Sequence, residues 1–185
     1  MIKRQTTKDI LAASLIELSS GKSISKITVK DIVANCGTST ATFYRHFSDK
    51  YELIYWIFTH NTEEIYSDFL EDKLTWRETL LSVIKVMEEE KHFYINAFKY
   101  TSGADSILFY INEKSELILT EKIAKLTQEE ISDQILFDIH FYQLGSASCG
   151  LDWFINKKPY SREQLVDFMI TAMPEELKPY LLQEK

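Results

Sequence analysis

Apolar side chains in this chain recur three and four positions apart rather than two, and that spacing confines the fold to helices. Ile10, Leu11, Leu15 and Leu18 form one such stripe; Leu53, Ile54, Ile57, Phe58, Ile65 and Phe69 form a longer one. Only 5 Gly and 3 Pro occur in 185 residues, too few punctuators for a chain of many strands and tight turns. The expected fold class is therefore all-α. With 45% hydrophobic residues, the length suits one generous core or a small domain joined to a medium one. We read a three-helix N-terminal domain over residues 1–50 and a helical domain over 51–185.

The N-terminal MIKRQTTKDI is polar and lacks the continuous apolar stretch of a signal peptide, and no 18-residue apolar run follows. A soluble cytoplasmic protein without membrane contact is expected. Cys36 and Cys149 are too far apart for a CxxC motif and too few for a disulfide framework, so both are read as buried thiols. The formal net charge is -7, yet its distribution is uneven. Residues 1–60 carry eight cations and five anions, a balance of +3 that leaves -10 for the rest. A basic head on an acidic body suits a DNA reader of which only the head approaches phosphate.

Within the head, a helix is expected from Thr7 to Ser20, with Gly21 as its stop. Thr28 can cap the next helix, with Asp31 at the third position of a capping box. That helix should run to about Cys36, where Gly37 can take positive φ. Ser39 or Thr38 then caps a third helix ending near Phe47. Two short helices joined by such a turn make a helix-turn-helix. The third helix sets Phe43 and Phe47 on one face, as core. Its other face, Ser39, Thr40, Thr42 and Arg45, would meet the major groove, where hydroxyls read either bond polarity and guanidinium binds guanine O6 and N7 together. Thr28, Lys30, Tyr44, His46 and Lys50 carry donors suited to phosphate oxygens.

Downstream, Asp49 and Glu52 restart the chain as a linker helix of about five turns. Further helices are expected around Trp76–Met87, Phe93–Tyr100, Ser106–Leu126 and, as one long segment, Gln128–Asn156. The last carries Gly145, Ser146, Ala147, Ser148, Cys149 and Gly150, small residues that let helix axes approach closely. Ser161 and Gln164 form a capping box for a final helix lined by Leu165, Phe168, Met169, Ala172 and Met173 and stopped by Pro174. These two helices could pair with their copies as an isologous four-helix bundle in a homodimer, or fill an internal core.

The stretch ITVKDIVANCGTSTATFYRHFSDKYELI, Ile27 to Ile54, resembles the DNA-binding domain of the TetR family of bacterial regulators. Thr28, Ile32 and Gly37 stand in the helix-turn register, and Thr42 to Phe47 followed by Lys50 follow the TxYxHF-then-K pattern. Val33 and Thr38 depart from it, where alanine and an aliphatic residue are common. The resemblance implies a dimeric transcription regulator on double-stranded DNA, with phosphate-contacting roles for Thr28, Tyr44, His46 and Lys50. Further on, His92 to Tyr100, a Gly-containing turn before Ser106, and Gly150, Trp153 and Phe154 ahead of Pro159 resemble the DhaS-like subgroup associated with dihydroxyacetone kinase operons. That likeness implies activation and a kinase-like partner protein.

The aromatic residues of the C-terminal domain could wall an effector pocket or fill a core. If they wall a pocket, His92, Asn96, Tyr100, His140 and Gln143 are the polar groups to orient a small molecule. His60 and Glu64 have i, i+4 ligand spacing, but no second pair lies near them, so they are read as a solvated face and no metal is expected. No P-loop, GxGxxG, GxSxG or HExxH organises the four His and two Cys, so neither an enzyme nor a cofactor is expected. The rival class is a helical adaptor that contacts only proteins.

Overall fold

The computed structural model describes residues 5–127, 130–156 and 158–182; within them the chain forms ten α-helices and two 3-10 turns, with no strand. Its contacts divide it into two compact units. One gathers the described residues of Met1–Asn61 with Glu90–Ile107; the other gathers those of Thr62–Glu89 with Leu108–Lys185.

The first unit opens with α1 (Thr7–Ser19), which starts at a capping box absent from the sequence reading: the Asp9 amide donates to Thr6 Oγ1 and the Asp9 carboxylate accepts from the Thr6 amide at 2.7 Å. Leu11 and Leu15 are buried from α1, and Ser14 is buried beside them because its hydroxyl donates to the Ile32 carbonyl at 2.8 Å. A 3-10 turn (Ile24–Lys26) leads to α2 (Val29–Asn35) and α3 (Thr40–Tyr44). Then α4 (Lys50–Leu70) begins, and Leu53, Ile54 and Phe58 enter the core of this unit. The same unit includes α6 (Lys91–Tyr100), whose Phe93, Tyr94 and Ala97 are buried.

The second unit takes the rest of α4 and adds α5 (Trp76–Glu89), α7 (Ile107–Thr127), α8 (Asp133–Ile155), α9 (Arg162–Thr171) and α10 (Lys178–Leu181). Trp76 is fully buried and donates through its indole to Tyr142 of α8 at 3.2 Å. α9 packs on α5, with ion pairs Arg162–Glu88 and Arg77–Asp167, both 2.8 Å, at its margins. Lys122, buried on α7, has its ammonium against the Phe69 carbonyl, the Asp72 carboxylate and the Phe69 ring.

Three boundaries differ from expectation. α3 ends at Tyr44 instead of near Phe47, because the His46 and Phe47 amides both close onto the Phe43 carbonyl. α8 begins at Asp133, where Ser132 accepts from the Ile135 amide; Gln128 lies outside the described residues. Pro174 is no final stop, since α10 follows with Pro179 in its first turn, where a missing N–H costs nothing.

Candidate nucleic-acid interface

The interface begins with how α2 is held at both ends. At its start the Asp31 amide donates to Thr28 Oγ1 at 3.2 Å, and the Asp31 carboxylate accepts from the Thr28 amide at 2.8 Å. Lys22 adds an ion pair to the same carboxylate at 2.7 Å; its hydrogen bond, followed by those of Thr28, holds the Asp31 pKa down to about 2. At its end Gly37 has φ +67°, its amide reaches the Ala34 carbonyl, and the Thr38 amide reaches the Val33 carbonyl at 2.9 Å. This is a Schellman closure, which needs the left-handed conformation that glycine alone adopts without strain. The turn between α2 and α3 is thus fixed by backbone geometry.

Ser39 caps α3, its hydroxyl accepting from the Thr42 amide at 3.0 Å. Phe43 is fully buried and Phe47 nearly so, which anchors one side of α3 in the core of the unit. The opposite side is open: Ser39, Thr40 and Arg45 are exposed and Thr42 is half-buried. Arg45 sits at the C-cap of α3, with Nη2 3.4 Å from Thr42 Oγ1, so most of its donor edge faces outward. Tyr44 is 59% exposed beside this face, and Lys30 is exposed on α2. His46 is half-buried against Phe47. Burial on one side and a donor-rich polar surface on the other are what direct readout of base edges requires.

Lys50 is placed differently from expectation. Its ammonium, half-buried, donates to the carbonyls of Ile24, Ser25 and Ile27 at 2.7, 3.1 and 2.8 Å. Desolvation, then the nearby Lys22 charge, lowers its pKa. Three N–H groups on three carbonyls leave the ammonium directed into the protein instead of toward phosphate.

The five residues expected to orient a small molecule are divided between the two units. His92, Asn96 and Tyr100 lie on α6 in the first unit; His140 and Gln143 lie on α8 in the second. His92 and Tyr100 are exposed. Asn96, expected beside a ligand, is bonded to backbone: Oδ1 accepts from the Ile24 amide at 2.8 Å, and Nδ2 donates to the carbonyls of Ser19 and Lys22 at 2.7 and 2.9 Å. His140 pairs with Glu116 at 2.8 Å. Gln143 is buried, and its amide nitrogen finds no partner among the described residues. A cleft of about 270 Å³ does open between α8 and α9, lined mainly by apolar groups such as Phe141, Leu165, Phe168 and Met169, but by none of the five.

Residues 10–55 match the bacterial regulatory proteins of the tetR family, and residues 74–175 match a transcriptional regulator C-terminal region. The chain belongs to the TetR family. A curated relative of this TetR-family regulator is the HTH-type dhaKLM operon transcriptional activator DhaS of Lactococcus lactis subsp. lactis (strain IL1403), 30% identical over 98 residues. That match spans about half the length of each protein, 53% of this chain and 52% of the relative. In fold, the regulator is similar to a dihydroxyacetone kinase operon activator DhaS, with a TM-score of 0.63 and 21% identity over 95% of this chain and 98% of the other. A TetR transcriptional regulator from Streptococcus agalactiae 2603V gives a TM-score of 0.65 and 18% identity, covering 91% and 94%. The family makes this a transcription regulator, not an enzyme. No helix among the described residues is long and apolar enough to cross a membrane.

Proposed function

We propose that this regulator binds a pseudopalindromic operator as a homodimer, with Ser39, Thr40, Thr42 and Arg45 toward base edges and Thr28, Lys30, Tyr44 and His46 toward phosphates. The observation that carries the reading is the two-sided character of α3, Phe43 buried beneath and Arg45 exposed above. Arg45 is assigned the specifying contact, because a guanidinium pairs with both acceptors of guanine in the major groove. In functional terms residues 1–50 form the reading head and 51–185 the regulatory and dimerising body.

Dimerisation is assigned to α8 and α9. Phe137, Phe141 and Leu144 on α8 and Phe168 on α9 are exposed, the two α8 rings stacked at 6.2 Å. An apolar face of this kind is stabilised by burial against its own copy around a two-fold axis. Gly145 supports the assignment, since a Cβ there would meet nothing in this chain and the position is open to a partner. Such a dimer would hold the α3 helices about 34 to 36 Å apart, one turn of B-DNA.

Control is assigned to the body, through a small molecule or a kinase-like partner protein acting by differential affinity for the DNA-competent and incompetent states, in the cytoplasm. The names of the two DhaS relatives make a dihydroxyacetone kinase operon promoter the first target to test. The decisive experiment is selection from random duplexes followed by titration: an enriched inverted repeat supports the reading, and binding of proteins without DNA enrichment favours the adaptor alternative.

A further inference from the structure

The connector between α1 and α2 is held by two side chains that come from elsewhere in the sequence. From α6, Asn96 bonds the Ser19 and Lys22 carbonyls and the Ile24 amide; from the start of α4, Lys50 bonds the Ile24, Ser25 and Ile27 carbonyls. The last carbonyl of α1 and five backbone polar groups of the connector are thus bonded by two residues, with the Ile24 carbonyl also accepting from the Ile27 amide at 3.1 Å. The connector cannot turn freely, because Ile24 and Ile27 between these bonds are fully buried. Thr28, the next residue, is the N-cap of α2, and the Schellman closure at Gly37 passes the direction of α2 on to α3.

Resting on the DNA-reading assignment above, we propose that Asn96 and Lys50 together are positioning residues for DNA binding, fixing the presentation of α3 by latching the connector from α4 and α6 at once. Neither side chain touches DNA. The two latches act only together: loss of either releases the connector and leaves backbone N–H or C=O groups without their protein partner.

The test is fluorescence anisotropy of the full chain with the duplex that the wild type enriches from a random library of about 30 base pairs, across about 50 to 200 mM salt. Asn96→Ala and Lys50→Met are each expected to bind about tenfold more weakly, and the double variant little more weakly than the worse single, because both release one connector. All three should keep the wild-type salt slope. A slope reduced by about one unit in Lys50→Met would make that lysine a phosphate contact and overturn the latch. So would a double variant about a hundredfold weaker, since independent effects multiply, or an Asn96→Ala protein that binds like wild type.

Asn96→Asp keeps the test sharp if the alanine variant does not fold. Its carboxylate can accept from Ile24 but faces two carbonyls, whereas the protonated acid restores a donor. Its affinity relative to wild type should therefore rise as pH falls from about 8 to about 5. A ratio that stays flat overturns the proposal. Failure of the wild type to enrich any duplex would instead remove the DNA reading itself, an outcome separable from all of these.

Discussion

The α1–α2 connector of the first unit and the interior of the second treat polar groups differently. Around the connector of the first unit, backbone groups are matched: Asn96 makes three hydrogen bonds to it, Lys50 makes three more, and Ser14 serves the Ile32 carbonyl, while the buried Tyr94 hydroxyl of the same unit finds no partner among the described residues. In the body, Asn112, Asp138 and Gln143 are buried with one side-chain atom each unmatched among the described residues, while Phe137, Phe141 and Phe168 stand exposed. A connector whose backbone groups are matched from two sides holds the helices that follow it in one geometry. A body with unmatched polar atoms inside and apolar rings outside is suited to change its partners and its packing.

The contrast can be broken most forcefully at the apolar face. Substituting Phe141→Asp with Phe168→Asp alters four rings in a two-fold dimer, and each buried phenylalanine contributes about 1.5 to 3 kcal/mol. Sedimentation velocity at micromolar protein should then show monomer, with helical content by circular dichroism unchanged. Persistence of a dimer would move the interface elsewhere. Next in size, Asn96→Leu is expected to cost about 2 to 4 kcal/mol of stability by stranding matched backbone groups. Gln143→Leu is expected to be neutral or stabilising within about 1 kcal/mol, because it removes a buried amide nitrogen that lacks a partner. Urea titrations of the two variants compare the first and second units directly; equal losses would erase the distinction.

How far the sequence announced this arrangement depended on distance along the chain. The capping boxes at Thr28–Asp31 and Ser161–Gln164 and the positive φ of Gly37 are local chemistry, visible in a window of a few residues, and the structure has all three. The roles of Lys50 and Asn96 are not local. Their partners lie 23 to 26 and 72 to 77 residues away, so a lysine after a helix-turn-helix reads as a phosphate donor and an asparagine among aromatics reads as a ligand group. Packing of α6 with the head likewise leaves no mark on periodicity. The end of α3 was missed because Phe43 and Phe47 keep helical spacing although the backbone tightens after Tyr44.

The smallest expected effect concerns acid. Because the Asp31 pKa is depressed in the folded chain, its contribution is fully present above the ordinary carboxylate value of 3.8 and is lost as pH falls through about 2. Thermal midpoints of wild type and Asp31→Asn should differ at pH 7 and converge as the solution is acidified into that range. A constant difference would mean that the carboxylate charge is not what caps α2.

The central claim, that α3 reads base edges through Arg45, is tested most directly by methylation interference on the selected duplex. N7-methylation of one guanine per half-site should abolish wild-type binding and leave binding by Arg45→Ala, already weaker by about 1 to 3 kcal/mol, without further loss at that base. If the same guanines interfere equally with both proteins, or none interferes with the wild type, Arg45 is not the reading residue.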